Sequence, residues 1–150
     1  GVGRDARWML EALALAAEAA AAGDVPVGAV VVPGDELVGR GSNRTMRDQD
    51  PTAHAEIVAV RQAALATGSW RLTECDLYVT LEPCAMCAGA IVLARVNRVI
   101  FGAWDEKAGM AGSVADLLRH PKLNHHPQVV AGVLATECSE PLQRFFGARR

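Results

Sequence analysis

The sequence has no excess of basic residues: 15 Lys and Arg against 17 Asp and Glu leave a formal charge of −2. That balance does not mark a strongly basic nucleic-acid binder, yet a small patch suffices to meet a few phosphates. Arg144, Arg149 and Arg150 crowd the C-terminal end, where they serve equally as the solvated end of a helix, complementing its dipole. Nowhere is there a run approaching the roughly 20 apolar residues of a membrane span, so no membrane partner is expected. The alanine-rich segment Ala12–Ala22 imitates a signal peptide, but Glu11 and Glu18 break its apolar character and fit an amphipathic helix ending at Gly23. The opening Gly-Val-Gly carries no methionine and is read as a remnant of processing without a role. No disulfide framework is written into the cysteines either. Cys84 and Cys87 stand together while Cys75 and Cys138 are scattered, a usage that suits a reducing compartment with a metal site, and a cytoplasmic location is expected.

Linkers, repeats and biased segments are absent as well, so 150 residues with 51 % hydrophobic and 21 % charged side chains are expected to form one domain, residues 1–150. Strong helix formers from Asp5 to Ala22 predict a first helix. Val27–Val32, the turn residues Pro33-Gly34-Asp35 and Glu36–Gly41 predict a hairpin. A polar loop covers Ser42–Gln49. Asp50-Pro51-Thr52 then supplies a cap and a first-turn proline for a second helix, His54–Thr67. Asp76–Leu81 is read as a buried strand, Pro83 starts a helix running to Leu93, and Arg98–Gly102 is a further strand. Strand, helix and strand in so few residues call for a parallel crossover. Beyond a glycine-rich loop the pattern predicts a short helix near Val114–Leu118, a strand near Val129–Leu134 and a last helix near Glu137–Phe146. About five strands and five helices make an α/β fold, a mixed sheet with helices on both faces.

Two short words carry the chemistry. Cys84 and Cys87, three apart at a helix start, share a face where free amides and the dipole favour thiolate, the form zinc binds. A redox pair or two buried small side chains fit the same CxxC. His54 at the start of the preceding helix is by itself a capping residue as readily as a ligand. Glu56, two positions on, points to a different face, so it is placed to act beside an ion held by His54 rather than to bind it, or else to complement the dipole. One imidazole and two thiolates leave a tetrahedral zinc with an open position, the mark of a catalytic site. Cys75 and Cys138 are assigned to packing; a closed structural site using one of them is the lesser alternative. HxE followed by PCxxC, with the glutamate outside the ligand set, resembles the signature of zinc nucleobase deaminases. In that chemistry zinc brings the pKa of water to about 7, hydroxide attacks an amidine carbon, and Glu56 carries the protons.

Beyond the signature, the chain resembles the bacterial tRNA-specific adenosine deaminases along nearly its whole length. The shared words are DVPVGAV at Asp24–Val30, NRTMRDQDPTAHAE at Asn43–Glu56, LYVTLEPCAMCAGA at Leu77–Ala90, RVIFGAWDEKAG at Arg98–Gly109, AGS at Ala111–Ser113, HPKLNH at His120–His125, and the terminal FFGARR. The resemblance implies a three-layer cytidine deaminase-like fold with a five-stranded mixed sheet, one zinc ion per chain on His54, Cys84 and Cys87, and a homodimer. It implies hydrolysis of the wobble adenosine in a tRNA anticodon stem-loop to inosine by attack at C6. By the same resemblance Asn43 hydrogen-bonds the flipped nucleoside and Val27 and Leu81 wall its base. Asp105, Lys107 and Asn124 contact neighbouring nucleotides, and Phe145 and Phe146 lie against the loop. Taken alone, Asn43 also fits a turn, Asp105 and Lys107 solvated charges, and one of the two phenylalanines an anchor for the last helix. Two positions depart from the family: Trp104 stands where many members have arginine, and Gly147-Ala148 lightens the tail.

Two other functions share parts of this pattern. A free-base or free-nucleoside deaminase, of the guanine deaminase kind, has words like PTAHAE and EPCxMC; FGAWDEKAG, LNH and FFGARR favour RNA over it. A non-catalytic zinc or RNA-binding module would make Glu56 dispensable.

Overall fold

The computed structural model describes residues 2–148; Arg149 and Arg150, the end of the FFGARR word, lie outside them. Helix α1 spans Val2–Ala21, and its Trp8, Met9, Ala12, Ala16 and Ala19 are buried, the spacing of a helix with one face on a core. Strands β1 (Gly28–Pro33), β2 (Gly39–Ser42), β3 (Cys75–Leu81), β4 (Arg98–Ala103) and β5 (Gln128–Ala131) form one sheet in the order β2-β1-β3-β4-β5. Both β2 and β3 run antiparallel to β1, while β3, β4 and β5 are mutually parallel. The sheet is therefore mixed, as the hairpin followed by a crossover requires.

Alternation along the strands divides the core in two. Ala29 and Val31 of β1, Leu77 and Val79 of β3, and Val99 and Phe101 of β4 join the apolar side chains of α3 (Ala55–Thr67) and α4 (Ala85–Ala94). Val30, Val32, Tyr78 and Ile100 point the other way, onto α1 and onto Cys138 of α5 (Ala135–Ala148). This is the expected three-layer arrangement. Strands β1, β3 and β4 are buried on two faces and accordingly read as near-continuous apolar runs. At the amino ends of β3 and β4, Asp76 and Arg98 join Asp5 in a part-buried ion cluster, with Arg98 at 3.0 Å from each carboxylate and the Tyr78 hydroxyl donating to Asp5 at 2.8 Å. The carboxyl ends, Leu81 paired with Ala103, lead at the opposite edge into Glu82-Pro83-Cys84 and Trp104-Asp105. No helix among the described residues is long and apolar enough to cross a membrane.

Small residues set how closely α3 approaches the hairpin. Ala55, Ala59 and Ala63 repeat every four residues on its buried face, opposite Gly39 and Gly41 of β2. A Cβ on Gly41 would run into the carbonyl oxygen of Ala55 and the amide of Ala59, and one on Gly39 into the carbonyl of Ala59. Gly41→Ala is expected to destabilise the protein by about 1–3 kcal/mol, as overpacking does, lowering the melting temperature by roughly 3–10 °C for a chain of this size. An unchanged thermal melt would show that the helix and strand have room to part.

Four local expectations are corrected. The short helix near Val114–Leu118 is absent; Ala111 and Asp116 form an isolated bridge, and the amides of Ala111 and Ser113 are bound by the Glu82 carboxylate instead of by helical carbonyls. The loop Ser42–Gln49 contains a four-residue helix, α2 (Thr45–Asp48), closed by Gln49 in the left-handed region. Asp50 caps the Thr52 amide and hydroxyl in a turn of its own, so α3 starts only at Ala55. The second hairpin strand begins at Gly39 rather than Glu36, because the chain is still recovering from the turn at Gly34, whose φ is +64°.

Candidate active site

Two helix starts converge at the carboxyl edge of the sheet. His54 is the residue before α3 and Cys84 the residue before α4, both in extended backbone conformation. Their side chains therefore sit at the positive ends of two helices, where a thiolate is favoured. The His54 Nδ1 lies 3.5 Å from the Cys84 Sγ and 3.6 Å from the Cys87 Sγ, and the three ligand atoms are all within 4.8 Å of one another. A tetrahedral ion with bonds of ~2.05 Å to nitrogen and ~2.3 Å to sulfur would place nitrogen and sulfur about 3.6 Å apart. The three side chains already have the spacing zinc requires. Neither Cys75 nor Cys138 belongs to this group; both are buried in the cores, as packing residues are.

Charge at the site follows from burial and from the thiols' own contacts. Hydrogen bonding from Cys87, and then from His54, pulls the Cys84 thiol down to about 3 against the opposing effect of burial. Cys87 is driven upward, first because its thiol donates to Cys84 and then by burial. His54 is raised, chiefly by its hydrogen bond with Cys84. Of the two thiols, Cys84 is therefore the one more readily ionised. Glu56, only 5 % exposed, is pushed up to about 7 by burial first and by the Cys84 thiolate next. A carboxyl group poised near neutrality in a cleft is suited to accept a proton and return it.

These groups open into a cavity of about 370 Å³, lined by His54, Glu56 and Cys84 together with Val25, Val27, Asn43, Thr45, Met46, Leu81 and Asp105 among others. That size lies within the range of small-ligand sites. Asn43 is buried, and its Oδ1 accepts the Thr45 amide at 3.2 Å and hydroxyl at 2.8 Å. Because the amide can only donate, Oδ1 is fixed toward Thr45 and the Asn43 Nδ2 is left as a donor at the cavity. The four other residues expected to meet a substrate, Lys107, Asn124, Phe145 and Phe146, do not line the cavity. Lys107, Asn124 and Phe146 are exposed and Phe145 half-buried, with the two phenylalanine rings edge to face at 5.3 Å.

Two carboxylates that build the walls have no role assigned from sequence. Asp24, fully buried, accepts the Met46 amide at 2.6 Å and the Arg47 Nε at 2.7 Å. Arg47 in turn reaches the Ser42 hydroxyl at 2.9 Å and the Asn43 carbonyl at 2.7 Å. The segment carrying Asn43 is held by this pair. Glu82, equally buried, accepts the amides of Asp105 at 2.9 Å, Ala111 at 2.9 Å and Ser113 at 3.1 Å, besides the Ser113 hydroxyl. A Cβ on Gly109 would strike the Glu82 carboxylate. In each case burial raises the carboxyl pKa but the hydrogen bonds it accepts bring it below the ordinary value. The only sequence signal for either is its place inside a shared word, DVPVGAV and LEPC; the partners lie 22 to 31 positions away.

A family model described as MafB19-like deaminase matches residues 4–149. The tRNA-specific adenosine deaminase of Bacillus subtilis is 46 % identical over 143 residues, which is 95 % of this chain and 89 % of the relative. A structure solved in studies of A-to-I editing by tRNA:A34 deaminases at the wobble position of transfer RNA superposes with a TM-score of 0.88 at 43 % identity, covering 91 % of this chain and 99 % of the other. Guanine deaminase from Bacillus subtilis is more distant in both measures, with 33 % identity and a TM-score of 0.65 over 94 % of this chain and 92 % of its own.

Proposed function

The chain belongs to the MafB19-like deaminases and to the tRNA-specific adenosine deaminases, and on that premise we propose that it hydrolyses the wobble adenosine of a tRNA anticodon to inosine. The observation that carries the chemistry is the triangle of His54, Cys84 and Cys87, spaced for zinc, with the buried Glu56 opening on the same cavity. In this reading one zinc per chain is held by those three side chains, and when bound it supplies the Lewis acidity that makes water nucleophilic at neutral pH. In the net reaction the oxygen of water replaces the exocyclic amine at C6 of adenine, and ammonia leaves. Glu56 takes one proton from the attacking water and delivers it to the ring nitrogen beside C6, then takes the second from the hydroxyl newly added at C6 and passes it to the departing amine. Its burial keeps bulk water from competing for those protons.

Val27 and Leu81 offer apolar walls to the base, while the Asn43 Nδ2 donates to an acceptor of the nucleoside and fixes its orientation. Extrusion of the base from an anticodon loop costs little, since the nucleotide is already unpaired. Asp105, Lys107, Asn124, Phe145 and Phe146 take the neighbouring nucleotides by charge and stacking. A second copy of the chain is the expected partner of α4. That helix, AMCAGAIVLA, is apolar around its circumference, yet Leu93 is 69 % exposed and Gly89 and Ala90 are half-buried, a face suited to burial against another protomer. Residues 1–150 then act as one deaminase domain in the cytoplasm, where the two ligand thiols stay reduced.

Deamination of a panel of substrates tests the choice of RNA. An anticodon stem-loop with adenosine at the wobble position is expected to turn over, and free guanine, cytidine and adenosine are not. Turnover of a free base or nucleoside alone would replace this reading by the guanine deaminase kind.

A further inference from the structure

Trp104 is 52 % exposed, an unusual place for the largest side chain, and it immediately precedes Asp105, which lines the cavity. Its indole is not loose. Phe101, fully buried at the carboxyl end of β4, meets it edge to face with ring centroids 4.9 Å apart and planes at 86°. On the outer edge of the six-membered ring, a Cβ on Gly112 would lie 3.4 Å from the indole. Gly112, at a φ of +132°, is a position where the backbone favours glycine, and a side chain there would only touch the ring in ordinary contact. The loop that carries Trp104 and Gly112 is tied on either side by the Glu82 carboxylate, through the Asp105 amide and through the Ala111 and Ser113 amides. Met46, which lines the cavity, is another large apolar side chain left 56 % exposed.

An aromatic ring packed edge to face on the core, half in solvent and one residue from the lining of a nucleoside-sized cavity, has the properties of a stacking platform. After its contact with Phe101, about half of the indole is still left in solvent. We propose that Trp104 is a specificity-determining subsite on which an unpaired base adjacent to the target adenosine stacks. This rests on the proposed RNA substrate and deepens it: the indole holds a flanking base while the target base occupies the cavity. Stacking is tolerant of base identity, so the subsite selects for the presence of an unstacked flanking base rather than for its sequence. Because the ring is fixed before the substrate arrives, little ordering is required on binding.

Steady-state kinetics of wild type, Trp104→Phe, Trp104→Leu and Trp104→Ala on anticodon stem-loops test the subsite, with the flanking nucleotides left intact or made abasic one at a time. Loss of one base stack is expected to raise KM about ten-fold for Trp104→Leu and Trp104→Ala, with kcat within about two-fold and Trp104→Phe close to wild type. The leucine variant keeps an apolar contact for Phe101, so a defect in it with an unchanged melting temperature is not a folding defect. At one flanking position the abasic substitution should raise the wild-type KM by the same factor and leave the leucine variant unaffected. If the leucine variant has a wild-type KM on the intact loop, or if every abasic penalty is equal in both proteins, Trp104 is no subsite. Wild-type failure to deaminate any stem-loop would overturn the RNA reading and this subsite together; turnover with insensitive Trp104 variants overturns the subsite alone.

Discussion

Glutamine in place of Glu56 is expected to lower turnover of the stem-loop by roughly 10²–10⁴-fold while zinc content stays at one per chain. The two side chains have nearly the same shape, so the cavity and the start of α3 are preserved, but an amide neither accepts the proton of water nor returns it. Stability should hold or rise. Glu56 is buried, and that burial outweighs the opposing pull of His54 and is the main reason its pKa climbs to about 7, which means that the ionised carboxylate is a cost to the fold. Catalysis and folding therefore respond in opposite directions, a pattern that general damage to the site does not produce. Binding of the stem-loop, measured separately, should survive, because in the proposed mechanism Glu56 acts on the reacting atoms and not on the flanking nucleotides. The comparison also separates an enzyme from a zinc-holding RNA module: equal turnover by the glutamine variant would remove Glu56 from the proton path.

The cluster of His54, Cys84 and Cys87, spaced for zinc, was legible in the sequence because each residue is local to a helix start. HxE and CxxC announce side-chain directions over three or four residues, and the fold has only to bring two helix N-termini together, as His54 and Cys84 do at 3.5 Å. Strands β1, β3 and β4 were equally plain, since burial on both faces calls for apolar residues at most positions. What stayed hidden was long-range. The stretch Val114–Leu118 has residues that would accept a helix, but its backbone is organised by a carboxylate 29 to 31 positions upstream, and no local pattern encodes that. Asp24 is the same case: an acidic residue between helix and strand reads as a solvated turn, and only the folded chain puts the Met46 amide and Arg47 against it. Gly39 and Gly41 weakened the strand pattern of β2, yet they are there for the carbonyls of α3, which lie across the sheet face. Sequence periodicity reports which face of an element is buried; it does not report which backbone groups a buried charge will gather.

Cys84→Ala is expected to have the other large effect: less than about a tenth of a zinc per chain, and turnover at background. Metal binding and folding share their free energy, so the loss should also lower the melting temperature of protein prepared with zinc, while leaving that of chelator-treated protein little changed. Two ligands remain in the variant, His54 and the fully buried Cys87, and a three-ligand catalytic site has no spare donor to replace the missing one. In the wild type Cys84 is the easier thiol to ionise, held down to about 3 by Cys87 and His54; without it, Cys87 loses the thiolate it donates to but keeps the burial that opposes its own ionisation. Adding zinc back discriminates the readings of the pair. Chelator-treated wild type should regain turnover on return of zinc, whereas the alanine variant should not, and the result should be indifferent to reductant so long as the thiols are reduced. A redox pair would behave differently, with activity following the oxidation state of Cys84 and Cys87 whatever the metal content. Full zinc and full turnover in Cys84→Ala would show that the ion, if it acts, is held by another set of side chains.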